Sequence, residues 1–191
     1  MQVTRMRSTV ARPADITQYA AGDEVSNSAT AGSVVRPVFN MSGFSRGRIH
    51  GATIDVTPAS GNLVITAADF ELAIFHTADV PAAVGDNVTN PIGADVMAKA
   101  IGVFRFDDGA WNNQLGAQTA GTSGYQRVAA HVTTPLATPV LQEPYVLGFS
   151  FDFSQKTLAQ REFTAVLRTL SAWNPTAVVN TFGITLDLEV E

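Results

Sequence analysis

The stretch from Phe182 to Glu191 reads FGITLDLEVE, and it decides the fold class of this chain. Large apolar side chains occupy every second position, and glycine, threonine or acidic residues occupy the positions between them. The apolar set is Phe182, Ile184, Leu186, Leu188 and Val190. A period of two places this set on one face of a β-strand and the polar set on the other, as a half-buried antiparallel strand requires.

Similar short segments recur upstream. Alternating or continuous apolar runs predict further strands at residues 34–41, 47–57, 69–77, 99–106, 125–133, 145–153 and 163–172. The pieces between them are rich in glycine, proline, asparagine and aspartate, which are turn-forming residues. Many short strands without regular strand–helix alternation predict an all-β protein, an antiparallel β-sandwich. Eight strands in two sheets further predict a jelly roll.

Two stretches fall outside this pattern. Residues 1–31 are expected to form an extended N-terminal arm, so that residues 32–191 form a single β-sandwich domain. Residues 107–124 form a long polar segment, and loops of that length in compact domains are usually functional or disordered. A chain of 191 residues is long enough for one well-buried core.

The charge and composition of the chain limit its partners. A net charge of −5 argues against nucleic acid as the main partner, because phosphate binding needs a cationic surface. Residues 1–48 nevertheless carry six arginines and three acidic residues, so a basic beginning is joined to an acidic remainder. The absence of cysteine excludes disulfides and thiolate sites. No apolar run is long enough to span a membrane, and we expect a soluble protein made in the cytoplasm.

Catalytic and ligand-binding patterns are sparse. The three histidines, His50, His76 and His131, stand alone in strand candidates, so a metal site would have to be assembled from distant strands. No enzyme activity and no cofactor are therefore expected, and a jelly-roll metalloenzyme is kept as an alternative. A second alternative is a carbohydrate- or receptor-binding jelly roll. Its candidate residues are Trp111, Asn112 and Asn113 in the long polar loop, which could bind a glycan or form an interface.

Several short motifs follow one another in a definite order. They are Arg12-Pro-Ala-Asp15, Tyr19-Ala-Ala-Gly-Asp23, Val25-Ser-Asn-Ser28, Gly47-Arg-Ile49, the strand 70–76, Val80-Pro-Ala-Ala-Val-Gly-Asp-Asn87 and Leu170-Ser-Ala-Trp-Asn-Pro175. In these segments the chain resembles tailed-bacteriophage capsid decoration (cement) proteins and related phage virion proteins. It departs from compact members of that family between about residues 107 and 153, where it is longer.

The resemblance implies a structural protein on the capsid exterior, which binds the major capsid protein, associates with itself as a homotrimer and carries no catalytic residues. It also places the docking element in the arm. The expected docking residues are Arg5, Arg7, Arg12, Asp15 and Tyr19. The arginines would face acidic groups on the capsid, since opposite charges steer and align protein partners. On this interpretation the arm matters more for attachment than for folding.

Overall fold

Eight β-strands build the part of the chain that the structure describes. The structure is a computed structural model, and it describes residues 2–58, 69–90, 92, 94–106, 149–175 and 177–191. The strands are β1 (Gln2–Arg12), β2 (Val38–Asn40), β3 (Arg46–Pro58), β4 (Phe70–His76), β5 (Gly102–Phe106), β6 (Phe149–Asp152), β7 (Glu162–Thr169) and β8 (Asn180–Val190). One short α-helix, α1 (Ala94–Met97), lies between β4 and β5. No helix in these ranges has the length and apolar character needed to cross a membrane.

The strand order is that of a jelly roll. The first sheet has the order β1-β8-β3-β6 and the second sheet β2-β7-β4-β5, and all paired strands are antiparallel. The pairs β1·β8, β2·β7, β3·β6 and β4·β5 are those of one long hairpin. Folding that hairpin over itself sends alternate pairs to opposite sheets, which gives the eight-stranded jelly roll. The predicted all-β sandwich is confirmed, and the observed strand order identifies it as a jelly roll.

The core lies between the two sheets, and β8 runs through the middle of the first one. The alternating residues of β8, from Phe182 to Val190, are buried as the sequence pattern predicts. Aromatic rings from the second sheet and its connections meet them: Phe70 lies 5.8 Å from Phe182 and 5.5 Å from Trp173, measured between ring centroids. Edge-to-face ring pairs of this kind add to the stabilisation that burial itself provides.

Strand β4 is buried on both faces. Leu72 and Ile74 point into the main core, whereas Ala73 and Phe75 belong to a second apolar cluster on the outer face of the second sheet. That cluster includes Ile92 and is completed by half-buried side chains at residues 80, 96, 100 and 103, so the connection between β4 and β5 covers this face. A strand covered on both sides needs no polar positions, which explains the nearly continuous apolar run of residues 70–75.

The expected N-terminal arm is part of the sandwich. Residues 2–12 are extended, as predicted, but they form β1, which pairs residue for residue with β8 from Gln2 opposite Val190 to Arg12 opposite Asn180. The alternation in β1 is weak because most of its inward side chains are half-buried and Val10 is the one apolar side chain of β1 that is fully buried. The division between an arm at 1–31 and a domain at 32–191 is therefore corrected.

Residues 19–25 are an interrupted edge strand of the second sheet. They run antiparallel to the end of β7 and the residues after it, with backbone hydrogen bonds from Tyr19 N–H to Trp173 O (2.8 Å) and from Val25 N–H to Leu167 O (2.8 Å). The same edge is then taken up by β2. Residues 26–37, which lie between this segment and β2, leave the sheet as a loop. The interruption of the edge explains why no strand pattern is visible between residues 13 and 31.

The other strand predictions overlap observed strands. The intervals 34–41, 47–57, 69–77, 99–106, 145–153, 163–172 and 182–190 contain or overlap β2 to β8, so these predictions are confirmed. The predicted strand at 125–133, the polar loop at 107–124 and His131 lie outside the described residues.

The end of β4 provides a test of pH-dependent stability. The His76 ring packs against Phe153 and Phe163, with ring centroids 5.1 and 5.8 Å away, and its buried Nδ1 has no hydrogen-bond partner among the described residues. Desolvation lowers the pKa of His76 below its usual 6.5; Asp79 opposes this shift and Lys156 adds to it. A lowered pKa means that the folded state binds the proton more weakly than the unfolded state does. The contribution of neutral His76 to the free energy of unfolding is therefore fully present above pH 6.5, and it is lost as the pH falls below that value.

We expect the melting temperature to fall between pH 7.5 and pH 5.5 by more in the wild type than in His76→Gln. His50→Gln is the matched control, because His50 lies on the solvent-facing side of the first sheet. Thermal unfolding followed by circular dichroism measures the difference. Equal pH dependence in the wild type and His76→Gln would show that His76 does not contribute.

Candidate functional site

The outer face of the first sheet carries exposed arginines held by carboxylates on neighbouring strands. Arg5 on β1 donates through Nε to Asp187 Oδ1 on β8 at 2.7 Å, while 74% of the Arg5 side chain remains exposed. No further hydrogen bond of Arg5 is observed among the described residues, so within them both Nη groups are unused. A guanidinium has five N–H donors, and Arg5 therefore keeps most of its hydrogen-bonding capacity for a partner.

Arg7 is committed to the fold. Its side chain crosses β8 over Gly183 and binds Asp55 on β3 through both Nη atoms, with Nη2 to Oδ2 at 2.7 Å. A Cβ at position 183 would occupy the space of the guanidinium, so glycine is needed there for this close approach. The hydrogen bond and the charge of Asp55 raise the pKa of Arg7, and burial opposes them. The ion pair links three strands of the first sheet.

Arg12 and Tyr19 belong to a buried group that we call the polar loop cluster: Arg12, Tyr19, Asp86 and Trp173. Arg12 is fully buried and donates through Nε to Tyr19 Oη at 3.1 Å, and Tyr19 Oη donates to Asp86 Oδ2 at 2.6 Å. The Arg12 guanidinium also lies over the rings of Tyr19 and Trp173, 5.7 and 5.6 Å from their centroids. The cluster joins the end of β1 to the loop before α1 and to the segment after β7.

The electrostatics of the polar loop cluster keep Tyr19 protonated. Burial and the negative charge of Asp86 raise the pKa of the Tyr19 hydroxyl, and Arg12 lowers it by a smaller amount. Burial also raises the pKa of Asp86, while hydrogen bonds from Tyr19 Oη and from the Ser26 N–H lower it. The neutral phenol therefore acts as a fixed donor between a buried cation and a buried carboxylate, which is a structural role.

The predicted docking residues therefore separate into two groups. Arg12 and Tyr19 are buried and cannot be offered to a partner surface, which corrects their assignment. Arg5, Arg7 and Asp15 are accessible. The Asp15 side chain is 38% exposed and accepts a hydrogen bond from the Thr17 N–H at 2.9 Å. Trp111, Asn112 and Asn113 lie outside the described residues.

Two further buried carboxylates were not predicted as structural centres. Glu24 accepts from Arg36 Nε at 2.7 Å and from Asn90 Nδ2 at 2.7 Å, which ties three loops together. Glu71 on β4 accepts from Arg168 Nε at 2.7 Å and from Arg105 Nε at 3.2 Å. The one sequence signal for the second site is an acidic residue inside the apolar run of β4.

A groove of about 520 Å³ lies on the first sheet between β3, β6 and the end of β8. Its lining mixes two cations, Arg46 and Arg48, with carboxylates at Asp152, Glu189 and Glu191. Arg46 Nε lies 3.2 Å from Asp152 Oδ2, and Glu189 Oε2 lies 2.9 Å from His50 Nε2. Within the described ranges, no group of three or more histidine or acidic side chains could hold a metal ion.

No protein-family model and no curated protein matches the chain. Solved viral structures are similar to it at low scores. The semi-empty virus-like particle of the giant freshwater prawn (Macrobrachium rosenbergii) nodavirus has a TM-score of 0.30 at 11% identity, covering 99% of this chain and 92% of that chain. Cocksfoot mottle virus gives 0.26 at 9% identity, covering 98% and 95%. The decameric BFDV capsid protein gives 0.29 at 10% identity, covering 100% and 99%. Such scores carry no argument, so the jelly-roll assignment rests on the strand order.

Replacing Gly183 tests the ion pair that crosses β8. In Gly183→Ala the new methyl group displaces the Arg7 guanidinium and leaves the buried Asp55 carboxylate without its partner. An unpaired buried polar group costs about 1–3 kcal/mol, and we expect the free energy of unfolding to fall by about that amount. Urea unfolding measures it. Gly43→Ala is the matched control, because a Cβ there meets nothing within 4 Å. Equal stabilities of the two variants would contradict this role of Gly183.

Replacing Tyr19 tests whether this segment is structural. Tyr19→Phe removes the hydroxyl between Arg12 and Asp86, and we expect the free energy of unfolding to fall by about 1–3 kcal/mol. Thr17→Ala, an exposed change in the same loop, should leave it within about 0.5 kcal/mol of the wild type. Urea unfolding again provides the measurement. If Tyr19→Phe were as stable as Thr17→Ala, the polar loop cluster would not stabilise the fold.

Proposed function

We propose that this chain is a structural virion protein that binds the outer surface of a tailed-phage capsid and stabilises the head, as a decoration protein does. The observation that carries the proposal is which of its arginines are bound within the fold and which one is exposed. Arg7, Arg12, Arg36 and Arg168 are bound to carboxylates or buried polar groups that fasten strands and loops. Arg5 instead faces solvent on an outer strand with unused donors. This arrangement suits a rigid binding module better than a catalytic centre.

The motifs that resemble decoration proteins support the proposal, and the jelly roll is compatible with it, since this fold serves in viral capsid proteins and in lectins. Fold alone does not give function, and the sequence resemblance favours the first of these two uses. The proposed partner is the major capsid protein. The proposed location is the capsid exterior after synthesis in the host cytoplasm, and the proposed oligomer is a homotrimer.

A decoration protein gains affinity by repetition. Each copy on a capsid lattice makes a modest contact, and linking copies in a trimer makes the later contacts intramolecular, which raises the overall avidity. A rigid module loses little conformational entropy when it binds. The ion pair of Glu24 with Arg36 and the hydrogen bonds to Asp86 fix loops, and the ion pairs of Glu71 with Arg105 and Arg168 link three strands of the second sheet, so both provide such rigidity.

A second candidate function is carbohydrate or receptor binding by a jelly-roll domain of a head fibre or tail. The groove on the first sheet favours it, since its volume of about 520 Å³ is within the range of small-molecule sites and its lining offers charged side chains of both signs. A glycan array would separate the two functions. Specific glycan binding that is weakened by Arg48→Ala would support the second candidate over the first.

Binding to heads that lack this protein tests the proposed function. We expect the wild type to co-sediment with such heads and Arg5→Glu to bind at least about tenfold more weakly, which corresponds to about 1.4 kcal/mol per contact. The variant should unfold within about 1 kcal/mol of the wild type, because exposed ion pairs contribute little stability. Lys156→Glu makes the same charge change at an exposed turn and should bind normally. A wild type that does not co-sediment would refute the proposal.

A further inference from the structure

We infer that the outer edge of β1 binds an extended, acidic segment of a partner as an additional strand of the first sheet, with Arg5 as the residue that selects the acidic side chain. The inference deepens the proposed function and rests on it, since the segment would belong to the capsid protein. It specifies the mode of attachment, which is backbone pairing at a sheet edge and not contact through a flexible arm.

Strand β1 is the longest edge strand of the described sheets. It has 11 residues, whereas the other outer strands, β2, β5 and β6, have 3, 5 and 4. Its ladder with β8 is continuous over all of these residues, without a bulge. Among the described residues no strand pairs with its other edge. An edge strand of this kind presents a row of backbone N–H and C=O groups that can accept another strand.

The side chains of β1 leave this edge accessible. All residues from Gln2 to Thr9 are exposed or half-buried, and proline first occurs at position 13, after the strand has ended. Natural edge strands are usually blocked by proline, bulges, shortness or charge. Of these devices β1 uses charge alone, in the form of Arg5 and Arg7 on its outer face.

The two arginines select the occupant. A residue directly opposite Arg5 on an added strand would have its Cβ about 4.5–5.5 Å from that of Arg5, within reach of the unused Nη groups. A carboxylate there would form a charge-assisted, bidentate pair, which is the strongest form of this contact. Arg7 is already bound to Asp55 by both Nη atoms, so the specific contact falls to Arg5.

A second copy of β1 is disfavoured at this edge. If two β1 strands paired antiparallel in a continuous sheet, the registers that place residue 5, 6 or 7 opposite itself would each bring an arginine opposite an arginine of the other copy. Like charges that are directly opposite destabilise a strand pair. The same arginines therefore oppose self-pairing and favour an acidic partner. The occupant that we infer for this edge is a segment with carboxylates at alternate positions.

Hydrogen exchange on the full chain tests the inference. The probe is a blocked seven-residue peptide of alternating threonine and glutamate, and its matched control replaces glutamate by lysine. We expect the glutamate peptide to slow the exchange of amides within residues 2–9 at least about fivefold, because an added strand protects the edge. The lysine peptide should have no effect. Arg5→Glu should abolish the protection, Arg5→Lys should retain part of it, and Lys156→Glu should retain all of it.

Three outcomes would overturn the inference. They are the absence of protection, equal protection by both peptides, and protection of β1 that increases with protein concentration alone, which would identify a second copy as the occupant. The same exchange measurement on capsid-bound protein separates the two proposals. Normal capsid binding without protection of β1 overturns the inference and leaves the proposed function standing. Protection by the peptide in a protein that does not bind capsids overturns the proposed function.

Discussion

The antiparallel pairing of β8 with both β1 and β3 is the constraint on which the rest of the structure depends. Strand β8 has continuous neighbours on both sides, and its inward side chains fill the centre of the core. Burial of an aliphatic or aromatic side chain contributes about 1.5–3 kcal/mol, so the five apolar residues of this strand form a large part of the driving force. A slip of one residue would send all of them to solvent, and this requirement fixes the register of the first sheet.

Buried charge is the second organising element, although the chain has only 15% charged residues. Glu24, Glu71 and Asp86 lie in the interior, and each has hydrogen-bond donors from distant parts of the chain. A buried carboxylate without such donors would be very costly, so these contacts fix the positions of the strands and loops that supply them. The polar stretch from residue 12 to residue 28 is therefore held by side-chain hydrogen bonds in addition to the backbone hydrogen bonds of its interrupted edge strand.

The sequence predicted those parts of the fold in which one face of a strand is buried and the other is exposed to solvent. In β8 this contrast is complete, and the strand was found with nearly correct limits. In β1 the inward positions include Thr4, Ser8 and the buried Arg12, so no alternation of hydrophobicity was visible. Tyr19 and Asp86 are 67 residues apart, and no local pattern shows that they are hydrogen-bonded. Of the predicted docking residues, Arg5 is exposed and remains a prediction, whereas the buried roles of Arg12 and Tyr19 required the three-dimensional arrangement.

The ladder between β1 and β8 also has a consequence for the order of folding. Gln2 pairs with Val190, so β1, which precedes the other described strands in the chain, has no strand partner until β8 has been synthesised. Loop-closure entropy makes such long-range pairing slow, and jelly rolls belong to the topologies of high contact order. During synthesis the backbone groups of β1 and β3 that will pair with β8 remain unpaired, and they can associate with other chains. Charged side chains on β1 oppose such association, because charge is one of the devices by which an edge strand avoids pairing with another chain.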